Sequence, residues 1–190
     1  FYSPNEKRRR RAHRIRFVLY LLVVFLILSV LDYPLMHLFY VKPDRQVHYH
    51  DWYRMLRIMG YMGSWAVVGG VFILHDRSRH RGLAVMFAPL LSGAMAELLK
   101  LIVGRERPKI HEGVIEPGLY HFRGLFSGLH NGQGLGFPSS HAAVAFGGCL
   151  MLACFLPRAR TLLVLLALGC GITRMVSGAH FATDVFGGAM

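Results

Sequence analysis

Apolar residues in this chain come in long blocks, and the charged residues gather between them. The blocks run from about Phe17 to Phe39, Met55 to Leu74, Leu83 to Val103, Pro138 to Leu156 and Thr161 to Val176. A further block opens near Thr183, shortly before the last residue, Met190. Each complete block approaches the ~20 residues that a helix needs to cross a ~30 Å hydrocarbon layer, some falling a little short. The pattern predicts an all-α, polytopic membrane helical bundle with six transmembrane helices, the sixth truncated. No repeat of fixed period and no low-complexity linker interrupts it. The 190 residues divide into a basic N-terminal segment, 1–16, and a membrane-embedded unit, 17–190. The first residue is Phe rather than Met, and no signal-peptide pattern follows it, so the sequence reads as a fragment.

Composition agrees with that picture. Hydrophobic residues make up 54% and charged residues 17%, which excludes a disordered chain, a collagen, a coiled coil and an ordinary soluble domain. The net charge of +12 takes its meaning from its location. Seven Lys or Arg lie between Lys7 and Arg16, directly before the first apolar block, which is the flank of a membrane span and not a nucleic-acid surface. Arg77, Arg79 and Arg81 follow the second block, and Arg158 and Arg160 follow the fourth. Positive charge on these three segments assigns them to the cytoplasmic side and sends residues 41–54 and 104–137 to the outside. The 104–137 loop nevertheless carries Arg105, Arg107, Lys109 and Arg123, and cations on the unexpected side suit a site that holds an anion. Cys149, Cys154 and Cys170 lie inside apolar blocks as small packing residues, with no disulfide framework or zinc pattern.

Three clusters carry the chemistry, all on the outer side. In Lys100-Leu-Ile-Val-Gly-Arg-Glu-Arg107-Pro108, Gly104 and Pro108 end the helix and leave cations at the membrane surface. In Gly136-Phe-Pro138-Ser139-Ser140-His141, proline and serine open a helix whose free N–H groups suit an anion, with His141 in the first turn. In Thr173-Arg174 through Gly178, His180 and Asp184, the last two are four apart and share a face if helical; a carboxylate on one imidazole nitrogen leaves the other free to attack. Together they supply Lys100, Arg107 and Arg174 as cations, Ser139 as a donor and two histidines, an inventory for metal-free phosphoryl transfer.

The same motifs make the chain resemble the type 2 phosphatidic acid phosphatase and haloperoxidase superfamily, whose patterns are Lys-x6-Arg-Pro, Pro-Ser-Gly-His and Ser-Arg-x5-His-x3-Asp. The first is intact from Lys100 to Pro108; the second has Ser140 where the pattern has Gly; the third has Thr173 in place of Ser. The resemblance implies that His180 is the nucleophile, Asp184 its orienting partner and His141 the general acid. It implies phosphate binding by Lys100, Arg107, Ser139, the backbone N–H of Ser140 and Arg174. It implies no metal and no other cofactor, a membrane lipid phosphate as substrate, a multi-pass protein of the cell membrane and an active site facing the periplasm or the extracellular side. Phosphatidic acid, phosphatidylglycerophosphate, a polyprenyl diphosphate and a lipid A phosphate are all candidates. Transfer of the phosphoryl group to an acceptor lipid, a vanadium-dependent haloperoxidase, and a non-catalytic binding or transport protein are the alternatives.

Other residues have plainer readings. His48 and His50 read as solvated loop, and His111, His121 and His130 as polar loop residues. Glu97 stands one turn before Lys100 and is placed to pair with it. Asp32, ~24 Å along the first helix from Arg16, reads as an interfacial residue near the outer headgroups.

Overall fold

The computed structural model describes residues 4–42, 45–76, 79–111, 114–116 and 120–190, without the side chains of residues 4, 5 and 7, so the predicted flanking charges Lys7 and Arg77 lie outside it. The protein is helical: α1 (Pro4–Phe39), α2 (Asp51–Arg57), α3 (Met62–His75), α4 (Arg79–Val103), α5 (Ser140–Phe155), α6 (Arg160–Val176) and α7 (Ala182–Ala189). Two two-residue strands, β1 (Ile110–His111) and β2 (Val114–Ile115), pair antiparallel in the loop after α4, Ile110 facing Ile115 and His111 facing Val114. Nothing in the sequence pattern announced them, since two residues are too few to show alternation.

Among the described residues three helices are long and apolar enough to cross a membrane: Arg8–Phe39, Arg79–Val103 and the stretch Pro157–Val176. The second expected span is broken. Asp51–Gly60 and Met62–His75 meet at a bend of 72°, and count as a fourth crossing only if the bent pair is one span. Helix α5 has 16 residues and α7 has 8, so the described residues give three or four spanning helices where five complete spans and a truncated sixth were expected.

Helix α5 is the hub. It packs on α4, α6 and α7 and on the turn Ile58–Gly60. Its small residues permit this: a Cβ on Gly148 would come within 2.2 Å of the Trp65 ring. Without small side chains there, neighbouring helices could not approach so closely. The core joins Trp65, Val85, Val144, Cys149, Leu163, Ala167 and Cys170. Helix α1 lies at the periphery and exposes Leu22, Val23, Leu26, Ile27 and Val30, a surface suited to lipid. Its C-terminal part is anchored, with Asp32 and Met36 buried where α1 meets α7.

Candidate active site

The end of α4 delivers the first motif. Lys100, in its last turn, is buried, and Gly104 stops the helix by taking a left-handed φ of +67°. The chain beyond is held extended by single bridges, Arg105 to Phe122 and Glu106 to Leu135. Arg107 is fixed at both ends, its N–H donating to Gly134 O at 2.9 Å and its Nε to Leu135 O at 3.2 Å.

The second motif opens α5. Ser139 is at the N-cap with extended backbone, but its hydroxyl makes no cap bond and is buried without a partner. Its N–H donates instead to the carbonyl of Asp184 at 2.9 Å, tying the start of α5 to α7. The Ser140 hydroxyl is not idle: Lys100 Nζ donates to it, and it donates to Glu97 Oε1. Lys100 also pairs directly with Glu97 at 2.8 Å, the pairing expected from their spacing. His141 follows in the first turn, its Nε2 unpartnered and its ring edge-on to Tyr61 with centroids 5.2 Å apart.

The third motif turns from α6 into α7. Arg174 lies in the last turn of α6, buried, with its Nε unpartnered. Gly178, at φ +72°, reverses the chain, and a Cβ there would meet Ile110 Cδ1 at 2.5 Å. His180 is therefore not on the helix with Asp184. It precedes α7, and the two meet with Nδ1 to Oδ2 at 3.6 Å, just beyond hydrogen-bond reach. Asp184 spends that oxygen on the Phe181 N–H, at 2.8 Å.

What holds Asp184 is a residue the sequence reading passed over. Arg105 is 3% exposed and forms an ion pair with Asp184 Oδ1. Its Nη2 also donates to Thr183 Oγ1 at 2.7 Å, and its guanidinium lies 4.4 Å from the Tyr120 ring centroid, with Phe137 at 5.0 Å and Phe181 at 5.4 Å. Asp32 extends the network. Far from being an interfacial residue, it is 1% exposed, accepting from the Thr183 N–H at 2.9 Å, from the Thr183 hydroxyl and from Tyr120 Oη at 2.7 Å. An acid inside an apolar span is a signal in its own right; for Arg105 the signal was its place among the loop cations, which does not name its partner.

The sequence-predicted residues converge. Arg174, His180 and Lys100 all lie close enough to His141 to act on its charge, and Arg174 and Arg107 act in the same way on His180. Burial lowers the pKa of His180 against the opposing pull of Asp184, so the ring is held neutral further into acid than a free imidazole. The loop cations sort themselves out. Arg123 and Lys109 pair with Glu106 at 2.6 and 3.5 Å, which holds the Glu106 carboxyl below its ordinary range, and Arg105 pairs with Asp184. Of the four, Arg107 is left without an ion pair among the described residues. His111 bonds Glu116 at 2.9 Å, while His121 and His130 are exposed. Among the described residues no three His, Cys, Asp or Glu gather as metal ligands, His48 and His50 included.

Known proteins resemble the chain in this region. It is 33% identical over 107 residues to a lipid A 1-phosphatase of Rhizobium johnstonii, covering 56% of this chain and 41% of that protein. It is 35% identical over 111 residues to a lipid A 4'-phosphatase of Bacteroides thetaiotaomicron, covering 57% and 45%. The chain thus spans less than half the length of either relative. The crystal structure of a transmembrane PAP2-type phosphatidylglycerolphosphate phosphatase from Bacillus subtilis shares the fold, with a TM-score of 0.52 over 90% of this chain and 88% of that one at 18% identity. The profile of the PAP2 superfamily matches residues 81–190, the stretch from the start of α4 through α7 that contains every motif residue described above, and the chain belongs to that superfamily.

Proposed function

We propose that this multi-pass membrane protein is a phosphatase that removes a terminal phosphate from a lipid phosphate through a phosphohistidine on His180. The observation that carries the reading is the cluster of groups left open around His141. Arg174 Nε, His141 Nε2 and Ser139 Oγ are buried without partners, and Arg107 has no carboxylate. Buried donors without acceptors are costly unless a ligand completes them, and a phosphate supplies oxygens in the number required.

In the first step a nitrogen of His180 attacks phosphorus; the P–N bond forms as the bond to the lipid oxygen breaks, and His141 gives that oxygen a proton. In the second step His141 takes a proton from water as the water oxygen displaces the imidazole, releasing phosphate. Lys100, Arg107, Arg174, Ser139 and the Ser140 N–H hold the phosphoryl oxygens. Asp184, kept in place by Arg105, has to close the 3.6 Å gap to Nδ1 as His180 gains positive character. An amphiphilic substrate fits, because its tail can stay beside the exposed apolar helices while the headgroup reaches the helix ends. The names of the relatives support a lipid phosphate in general terms, and the charge distribution supports an active site on the outer side of the membrane.

Phosphate release from phosphatidic acid, phosphatidylglycerophosphate, a polyprenyl diphosphate and a lipid A phosphate by the purified full-length protein tests this. Radiolabelled phosphate should be trapped on the parent after acid-free quenching and absent from His180→Ala. Label retained by His180→Ala would move the nucleophile elsewhere, and release from none of the four would end the phosphatase reading.

A further inference from the structure

One more cation faces this pocket. Arg57 is the last residue of α2, directly before the turn Ile58–Gly60 at which the second span bends. The bend is pressed against the site: a Cβ on Gly60 would come within 2.9 Å of His141 Cβ and Cδ2. Cys170 Sγ lies 3.9 Å from the carbonyl of Arg57 and 3.8 Å from that of His141, so the two backbones flank one sulfur. The Arg57 guanidinium stands between two tyrosines, 6.0 Å from the Tyr53 ring centroid and 5.5 Å from that of Tyr61, and Tyr61 is the ring that meets His141 edge-on. Its charge acts on both His141 and Arg174.

Two donors of this cluster are unsatisfied. Arg57 Nε is buried without a hydrogen-bond partner, and so is the hydroxyl of Tyr53, a residue only 1% exposed. No carboxylate pairs with Arg57 among the described residues. The transferred phosphoryl group already has Lys100, Arg107 and Arg174. Arg57 is surplus to it and lies on the side of the pocket assigned above to the leaving oxygen. A guanidinium Nε–H and a phenol hydroxyl, both lacking an acceptor, are the donors that an oxyanion takes.

We propose that Arg57, with Tyr53 and Tyr61, forms a second oxyanion subsite on the His141 side of the pocket, where it holds the retained phosphate of a lipid diphosphate. The inference rests on the phosphatase reading and narrows its substrate class. His180 attacks the terminal phosphorus, the bridging P–O bond breaks, and the electron pair stays on the bridging oxygen of the lipid monophosphate, which Arg57 stabilises as charge builds there.

Binding of inorganic phosphate and of pyrophosphate to the purified full-length protein, followed by titration calorimetry, tests the subsite without turnover. The parent should bind pyrophosphate about 10- to 100-fold more tightly than phosphate, the range of one or two charge-assisted hydrogen bonds. Arg57→Gln should remove most of that preference and leave phosphate affinity within about threefold; Arg57→Lys should keep part of it, and Tyr53→Phe should weaken pyrophosphate alone. Retained phosphate binding certifies the fold of each variant. Equal affinity of the parent for the two anions overturns the subsite. So does an equal loss of both in Arg57→Lys and Tyr53→Phe, or a preference that survives Arg57→Gln. A pyrophosphate preference intact in a protein that releases phosphate from no lipid would instead sink the phosphatase reading and leave the subsite standing.

Discussion

The two histidines stand in opposite surroundings. On the His180 side the carboxylates and hydroxyls behind the imidazole are engaged, with Arg105 Nε left over: Asp184 by Arg105 and the Phe181 N–H, Thr183 by Arg105 and Asp32, Asp32 by Tyr120. On the His141 side the donors of Arg57, Arg174, Ser139 and His141 itself are left without partners. One half is organised in advance by the protein, and the other is left for the ligand to complete. A nucleophile has to be aimed before the substrate arrives, whereas groups that bind oxygens gain nothing by bonding each other first.

The comparison breaks most readily at Arg105. Replacing it with Met keeps most of the volume but leaves Asp184 charged and buried without its partner, a change that costs about 3–5 kcal/mol in other buried pairs. Denaturation of the purified variant should register that loss together with loss of activity; a variant as stable as the parent would mean the network is not what fixes the dyad. On the open side the balance reverses. His141→Ala should slow turnover of an alkyl phosphate by about 10²- to 10⁴-fold, with stability within about 1 kcal/mol of the parent. A substrate with a good leaving group, such as a nitrophenyl phosphate, should recover much of the rate. Equal losses on both substrates would remove His141 from the general-acid role.

The pH dependence sharpens the contrast further. Burial lowers the pKa of His180. Because the neutral ring attacks, the acid limb of the rate profile should fall at a pH below the ordinary imidazole value of about 6.5, where His180 finally protonates. Asp184→Asn removes the charge that opposes burial, so any residual activity should have its acid limb lower still. A limb that rises in that variant would contradict the assignment. The smallest effect belongs to Ser140→Gly. It keeps the N–H proposed for phosphate but frees Lys100 and Glu97 from the shared hydroxyl. A change in KM of a few-fold with kcat nearly constant is expected, in line with the loss of about one hydrogen bond. Loss of all activity would give the hydroxyl an essential part in catalysis.

How much of this could be read beforehand depended on distance along the chain. The Glu97–Lys100 pair was legible because a three-residue spacing on one helix is fixed by helix geometry, whereas His180 precedes α7 and meets Asp184 across the helix start. Asp32 was misread because its partner Thr183 lies 151 positions away, and depth in a bilayer says nothing about burial by protein. Arg105 and Arg107 look alike in sequence. Strand alternation would put both on one face; what separates them is a long-range contact, Arg105 being buried against Asp184, 79 positions away, while Arg107 is exposed. The break in the second span was hidden for a similar reason. Gly60 looks like Gly63, Gly69 and Gly70 until His141 is found against it.

The bond from the Ser139 N–H to the Asp184 carbonyl acts as a ruler. His141 lies two residues beyond one end of it and His180 four residues before the other, so their separation is read off one backbone contact and not off two independent helix positions. That contact exists because position 188 has no side chain: a Cβ there would stand 2.4 Å from the Ser139 carbonyl oxygen and 3.1 Å from the Ala143 nitrogen. The gauge between nucleophile and acid is therefore set by an empty place on α7 one turn beyond Asp184, and any side chain larger than hydrogen at 188 would reset it for both at once.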